Sequence, residues 1–335
     1  MNFSVIIATY NGLPRLLETI ASVQNQTLAA HEIIVVVDGS TDGSANAVRA
    51  KYPGVQIVEQ PNLGKGIARN TGVARATGDW ICLLDHDDLW HRDKLRLLAD
   101  YIRHNPDAKA IWHNVWLFSE TESGLRSGFG IPRDFVAGSL DECHRAAEAK
   151  SPGGVGDAGP AVKVDLDAAL GRKFGTTSSL AVLRDVYLRA GGFCPSHFNG
   201  EDWSFSVNVA RITEWNMIPL RLTFMRLHTT SGTFTDGGEL MLLATQINAW
   251  YGGWPGRSYV AMSEMPARLA KYGATYRLQV QEYLWGCIRK GSIKRACNVM
   301  SAGRLLLPRF RDRLYAMIPP QITWRVEHYF FGMHK

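Results

Sequence analysis

A chain of 335 residues, 46% apolar and 20% charged, has material for one large or two modest cores and is too apolar for a disordered polymer. Five scattered cysteines with no CxxC pair exclude a zinc ribbon or a disulfide framework, and favour a reducing compartment. The net charge of +6 sits at one end: from Gly286 to Lys335 ten Lys or Arg face two acids, a local +8 that leaves −2 for everything before it.

The chain opens directly on Phe3 to Ala8, a buried-strand candidate without the basic flank and long apolar core of a signal peptide. Thr9 to Gly12 is its exit turn, and Leu13, Leu16, Leu17, Ile20 and Val23 follow at helical spacing. Glu32 to Val37 reads as a second buried strand, ending in the turn- and cap-rich run from Asp38 to Ser44. A short strand at Val55 to Glu59 leads through Asn62–Gly66 into a helix that Gly78 closes. Gly64–Gly66 looks superficially like a phosphate loop but has neither the GxGxxG nor the GxxxxGK[ST] spacing, which argues against a dinucleotide fold. Trp80 to Leu84 is the fourth strand, an unbroken apolar run containing Cys82 that stops at three acids, Asp85, Asp87 and Asp88. Clustered carboxylates repel, and a cation relieves them; the plainer alternative is an acidic turn in which Asp88 or Asp93 caps the next helix. Strand and helix thus alternate over the first hundred residues. That order implies a parallel sheet with helices on both faces, and right-handed crossovers bring Thr9–Asn11, Asp38–Asp42 and Asp85–Asp88 to one edge of it.

Ile111 to Ser119 is an aromatic-rich strand. The segment 138–175, with its run Ser151–Pro160, carries so much turn chemistry that an irregular, flexible active-site loop is expected there. Thr176 to Leu183 reads as a strand and Asp185 to Ala190 as a short helix. Glu201 and Asp202 open a helix with Phe205, Val209 and Ile212 on its apolar face, where acids also suit the helix dipole. Ile218, Leu220, Leu222 and Phe224 alternate as a strand that delivers Arg226, His228 and Thr229–Ser231 to a loop. From 236 to 335 the pattern is helical, basic and aromatic, with faces at Tyr276, Val280, Tyr283, Leu284, Cys287 and at Phe310, Leu314, Met317, Ile318. Such a tail suits peripheral contact with an anionic membrane surface or a homodimer face; no nucleic-acid motif accompanies the charge. No stretch approaches the roughly 20 apolar residues of a spanning helix. The expected location is cytoplasmic, peripheral on the cytoplasmic membrane face if the tail binds lipid.

The linked set Ser4–Asn11, Ile33–Ser44, Asn62–Asn70, Gly78–Asp88 and Gly200–Trp203 resembles the family-2 inverting glycosyltransferases. The likeness covers approximately residues 1 to 230. It implies the α/β glycosyltransferase A-type fold, a Rossmann-like, mostly parallel sheet flanked by helices, as a nucleotide-sugar-binding and catalytic domain over 1–235, followed by a basic helical C-terminal region over 236–335. It further implies that Thr9, Tyr10, Asn11, Asp38, Arg69 and Asp85 bind the donor nucleotide. Asp85 and Asp87 become a DxD pair holding Mg²⁺ or Mn²⁺ with His228 nearby, and His86 is a spacer. Asp202 becomes the catalytic base, and Glu201 orients it or the acceptor.

The implied reaction transfers sugar from a nucleoside-diphosphate donor, a UDP-sugar by family habit, to a hydroxyl of a glycan or lipid-linked acceptor. The implied setting is polysaccharide biosynthesis at the cell envelope. Two rivals stand beside it. A nucleotidyltransferase is expected to carry a Gly-rich basic loop after its first strand, where this chain has Thr9–Asn11. A non-catalytic nucleotide-sugar-binding subunit has no need of Asp38, Asp85, Asp87 and Asp202 together.

Overall fold

The computed structural model describes residues 1–121, 133–156, 159–171, 175–193 and 201–228. The chain divides into two compact units, Met1–Thr235 and Asp236–Lys335. The expected basic tail, its helix faces, Thr229–Ser231 and Gly200 all lie outside the described residues. Among those described, no helix is long and apolar enough to cross a membrane.

The first half alternates strand and helix: β1 (Phe3–Thr9), α1 (Arg15–Gln24), β2 (Glu32–Asp38), α2 (Ser44–Lys51), β3 (Gln56–Gln60), α3 (Lys65–Arg75), β4 (Trp80–Asp85), β5 (Leu89–Trp90), α4 (Lys94–His104) and β6 (Ala110–Ser119). It continues through β7 (Phe135–Val136), α5 (Leu140–Lys150), β8 (Val162–Val164), α6 (Leu166–Gly171), β9 (Leu180–Leu183), α7 (Arg184–Arg189), α8 (Glu201–Ala210) and β10 (Trp215–Arg226). The sheet runs β3-β2-β1-β4-β9-β6-β10-β5. β3, β2, β1 and β4 are mutually parallel, as is β10 with β6, while β9 runs antiparallel between β4 and β6 and β5 antiparallel to β10. The sheet is therefore mixed beyond its fourth strand. Because β9 is reversed, its leading turn and the carboxyl ends of β1, β2, β4, β6 and β10 all open on one edge.

Burial explains the unbroken apolar strands. Val5, Ile6, Ile7, Ile34, Val35 and Val36 are wholly buried, with Ile6 paired to Ile34 on one side and Leu83 on the other. Each such side chain contributes roughly 1.5–3 kcal/mol on leaving water. α3 approaches this sheet so closely that a Cβ on Gly72 would stand 2.4 Å from Ile6 Cγ2 and 3.1 Å from Val36 Cγ2.

The segment 138–175 departs from the irregular loop expected of it. Ser139 Oγ caps α5 by accepting from Glu142 N at 3.2 Å, and the Glu142 carboxylate accepts from Gly138 N at 2.6 Å. Cys143 and Ala147 then bury against Trp116, Phe118 and Phe224. The buried residues of that face are small, with Leu140 only partly buried beside them, so its helical period carried little apolar weight. The Ser-x-x-Glu capping pair was the available signal. β8 and α6 follow, with the glycine run around 153–156 as a turn before them. His91 pins α5 to the sheet: its ring lies edge-on to His144 at 5.0 Å, with Nδ1 accepting from Asp93 N and His144 Nε2 accepting from Arg92 N.

Two stability predictions follow from this packing. Gly72→Ala is expected to lower the unfolding free energy by about 1–3 kcal/mol, despite alanine's roughly 1 kcal/mol helix advantage, as a shifted urea midpoint. Burial, and then the charge of His144, hold the His91 imidazole down at about 4 from an ordinary 6.5. The unfolded chain therefore binds a proton that the folded chain refuses between these values. The stabilisation is complete above pH 6.5 and declines as pH falls toward 4, by about 2 kcal/mol between pH 7 and 5. Denaturant titrations at those two pH values should show that slope flattened in His91→Gln.

Candidate active site

The β1 and β2 ends are tied together. Asn11, with φ of 50°, accepts from Thr41 N at 2.8 Å through Oδ1 and donates its own N–H to Ser40 Oγ at 3.0 Å. Thr9 is buried with its hydroxyl lacking a hydrogen-bond partner, whereas the Tyr10 ring is half exposed beside it. Asp38 is buried, and its carboxylate accepts from Gln60 Nε2 at 2.7 Å, Leu63 N at 2.9 Å and Gly64 N at 2.9 Å. Most of its acceptor capacity thus holds the 62–64 loop in place, and little remains for a ribose or base. Gly39 is required here: at φ +75° a Cβ would stand 2.6 Å from Asn62 N.

The acids after β4 occupy a cradle. Thr19 Oγ1 lies 2.8 Å from both the His86 and Asp88 carbonyls. Ser178 accepts Asp85 N at 3.1 Å and pairs with Asp88 Oδ2 at 2.6 Å, while its carbonyl accepts from Lys94 Nζ at 2.7 Å, Trp90 Nε1 at 3.2 Å and Thr223 Oγ1 at 3.0 Å. Burial drags the Lys94 ammonium down to about 7, and its face contact with the Trp90 ring at 3.8 Å compensates part of that cost. Arg226, buried, donates its backbone N–H to Asp88 Oδ1 and Nε to the Asp87 carbonyl, and its guanidinium pairs with Glu18 and Glu120. Asp88 is therefore a buried anchor of the loop and caps no helix. Burial raises its carboxyl well above the usual range, reinforced by Asp87 and Asp85.

Asp87 and His228 meet: Nε2 stands 2.8 Å from Oδ2. Burial pushes the Asp87 carboxyl up, but the His228 hydrogen bond and the charges of His86 and His228 outweigh it and hold it at about 2. His86 itself packs over Gly12, where an added Cβ would meet its ring at 2.3 Å.

Asp85 is joined to the far acid pair through Arg69. Arg69 Nη2 contacts Asp85 Oδ1 at 2.5 Å, Nη1 contacts Glu201 Oε1 at 2.8 Å, and the guanidinium lies over the Phe193 ring at 5.0 Å. Lys65 Nζ, at the start of α3, adds a second contact to Glu201 Oε1 at 2.9 Å. Glu201 is buried, with Oε2 lacking a hydrogen-bond partner, and Asp202 follows it on the first turn of α8. The expected site residues Thr9, Tyr10, Asn11, Asp38, Arg69, Asp85, Asp87, Glu201, Asp202 and His228 thus lie at this edge. Gln60, Thr19 and Ser178 were missed, since nothing in their spacing marks them, and Lys65 and Arg226 were read only as parts of loops; the five act through contacts 22 to 139 residues distant in sequence.

Residues 4–126 match the model of glycosyl transferase family 2. The amylovoran biosynthesis glycosyltransferase AmsB of Erwinia amylovora is 36% identical over 102 residues, covering 29% of this chain and 34% of AmsB. The uncharacterised glycosyltransferase YibD of Escherichia coli (strain K12) is 34% identical over 134 residues, covering 39% of this chain and 38% of YibD. Over residues 4–126 this chain is similar to glycosyl transferase family 2. It spans well under half the length of these curated relatives. Among solved structures, S. aureus TarS superposes over 99% of this chain and 53% of its own with a TM-score of 0.62 at 15% identity. The mannosyltransferase PcManGT of Pyrobaculum calidifontis, in complex with GDP-Man and Mn²⁺, does so over 99% and 88% with a TM-score of 0.53 at 16% identity. The mixed sheet flanked by helices is the glycosyltransferase A-type fold.

At this sheet edge the donor set around Asp87 suits a hard divalent cation. An ionised carboxylate, a second carboxylate on Asp85 and an imidazole edge lie on one strand end and the facing loop, and such ions complete their shells with water and phosphate oxygens. Among the described residues no three His, Cys, Asp or Glu converge tightly enough to hold a metal unaided. Arg69→Met, which leaves Asp85 and the buried Glu201 short of a partner, is expected to cost about 3–5 kcal/mol in denaturant unfolding, whereas exposed Arg49→Met changes stability by about 0–1 kcal/mol.

Proposed function

We propose that this chain is an inverting glycosyltransferase that moves a sugar from a nucleoside-diphosphate donor to a hydroxyl of a glycan or lipid-linked acceptor. The observation that carries the reading is the convergence, at one sheet edge, of the Asp85/Asp87/His228 group with the Glu201–Asp202 helix start through Arg69. Thr9, Tyr10, Asn11 and Asp38 flank the nucleoside end of that edge. Asp202, in this reading, takes the proton of the acceptor hydroxyl as its oxygen attacks the anomeric carbon from the side opposite the diphosphate, which inverts the centre. Glu201, clamped by two cations, stays an anion that positions the first turn of α8. Asp87, Asp85 and His228 would hold Mg²⁺ or Mn²⁺, which supplies Lewis-acid stabilisation to the charge developing on the diphosphate.

Support for the donor class comes from the neighbours: a TarS form spanning 1–349 has been solved with UDP and with UDP-GlcNAc, and PcManGT with GDP-Man and Mn²⁺. We favour a UDP-sugar. AmsB, by its name a polysaccharide-pathway enzyme, supports an envelope or extracellular glycan as product. Contact of the basic 236–335 region with a membrane face, or with a second copy, belongs to the same reading.

A thermal-shift series of UDP, GDP, CDP and dTDP with and without Mn²⁺ tests it, since a ligand that binds only the native state raises the melting temperature. One nucleotide is expected to give a metal-dependent shift, lost in Asp87→Ala and kept in Asp202→Asn, whose transfer activity falls by about 10²-fold or more. Unchanged turnover in Asp202→Asn would sink the base assignment. Binding without turnover on any acceptor would favour a non-catalytic subunit.

A further inference from the structure

Gly64–Gly66 fits no phosphate-loop pattern, yet the fold sets Lys65 at the join of the two halves of the site. Gly64, its chain neighbour, gives its N–H to Asp38 Oδ2 at 2.9 Å, on the nucleoside side. The Lys65 ammonium itself lies 2.9 Å from Glu201 Oε1, on the side of Asp85 and Asp202. The two cations of this cluster differ in access. Arg69 is 4% exposed, with both terminal nitrogens engaged by carboxylates and its face against Phe193; Lys65 is 47% exposed. An ammonium has three N–H donors, and among the described residues only Glu201 takes one of them.

We propose that Lys65, in place of Arg69, is the cation of this chain that receives the diphosphate oxygens of the donor. This deepens the transferase reading and rests on it. A compact ammonium on a flexible stem suits a phosphate group whose charge grows as the bond to the sugar breaks. Glu201 serves as its resting partner: it holds the stem over the site and keeps Lys65 from being the only uncompensated charge there before donor arrives. Partial burial would pull the ammonium down, but Glu201, then Asp202 and Asp85, raise it, so it stays charged through neutral pH.

The competing account is that Lys65 only braces Glu201, and the two predict different ligand dependence. Calorimetric titrations of UDP, UMP, GDP and GMP in Mg²⁺ into wild type, Lys65→Met and Lys65→Arg separate them. Wild type is expected to bind at least one of the two diphosphates. Lys65→Met should weaken that diphosphate about tenfold or more, a change of about 1.4 kcal/mol, while the matching monophosphate stays within about twofold. Lys65→Arg should recover most of the loss. Lys65→Gln serves as a second neutral variant should the methionine protein not fold. Equal losses for mono- and diphosphate, or no loss for either, would overturn the proposal and leave the transferase reading standing. A wild-type protein that binds none of the four, nor CDP or dTDP, would overturn both together.

Discussion

A guanidinium buried between two carboxylates holds this site together. Desolvating Arg69 and Glu201 costs several kcal/mol per ion, and only near-ideal geometry recovers it; Asp85 stays partly in water. Arginine is suited to that place because its planar fork addresses two acids in different directions and remains protonated however deeply it is buried. The result is a rigid strut between the end of β4 and the start of α8, elements that are not sheet neighbours. Whatever position the acids after β4 adopt, the Glu201–Asp202 turn must follow.

The second constraint is the cradle under the acidic loop. One carbonyl, that of Ser178, accepts from Lys94, Trp90 and Thr223, and the hydroxyl of the same residue meets Asp85 N and Asp88. Arg226 closes the other side. A loop fixed at so many points needs no reorganisation to present Asp85 and Asp87, and precision of this kind is what positioning contributes to rate. Asp88, the third acid, is consumed in building that loop.

Apolar runs and turn residues made the first four strands and their helices legible, because strands buried on both faces leave a continuous hydrophobic record. The same record failed at α5, where Cys143 and Ala147 do the burying with small side chains, and at the reversed β9, since strand direction leaves no trace in composition. Within the site, the acids and Asn11 were legible as clusters at strand ends. Asp38 ends β2 as expected, but its carboxylate is less free than the sequence suggested, since the donors from Gln60 and the 62–64 backbone arise only on folding. Arg69, expected near the nucleotide, joins two acids, a partnership set by tertiary proximity. No local pattern announces Ser178 or Lys94 at all.

The strut has a consequence for the order in which the chain acquires its structure. Arg69 and Glu201 are 132 residues apart, and Arg226 and Asp87 are 139 apart, so both contacts close very long loops. The parallel block β1–β4 with α1–α3 draws on contacts within about its first 85 residues and can assemble early by comparison. Pairings of high sequence separation reward the chain only after that closure entropy has been met. The scaffold is therefore a product of early assembly and the acid cluster of late assembly, and a chain caught midway presents a well-formed sheet edge with Arg69 and Asp85 in place and no Glu201 between the cations of α3.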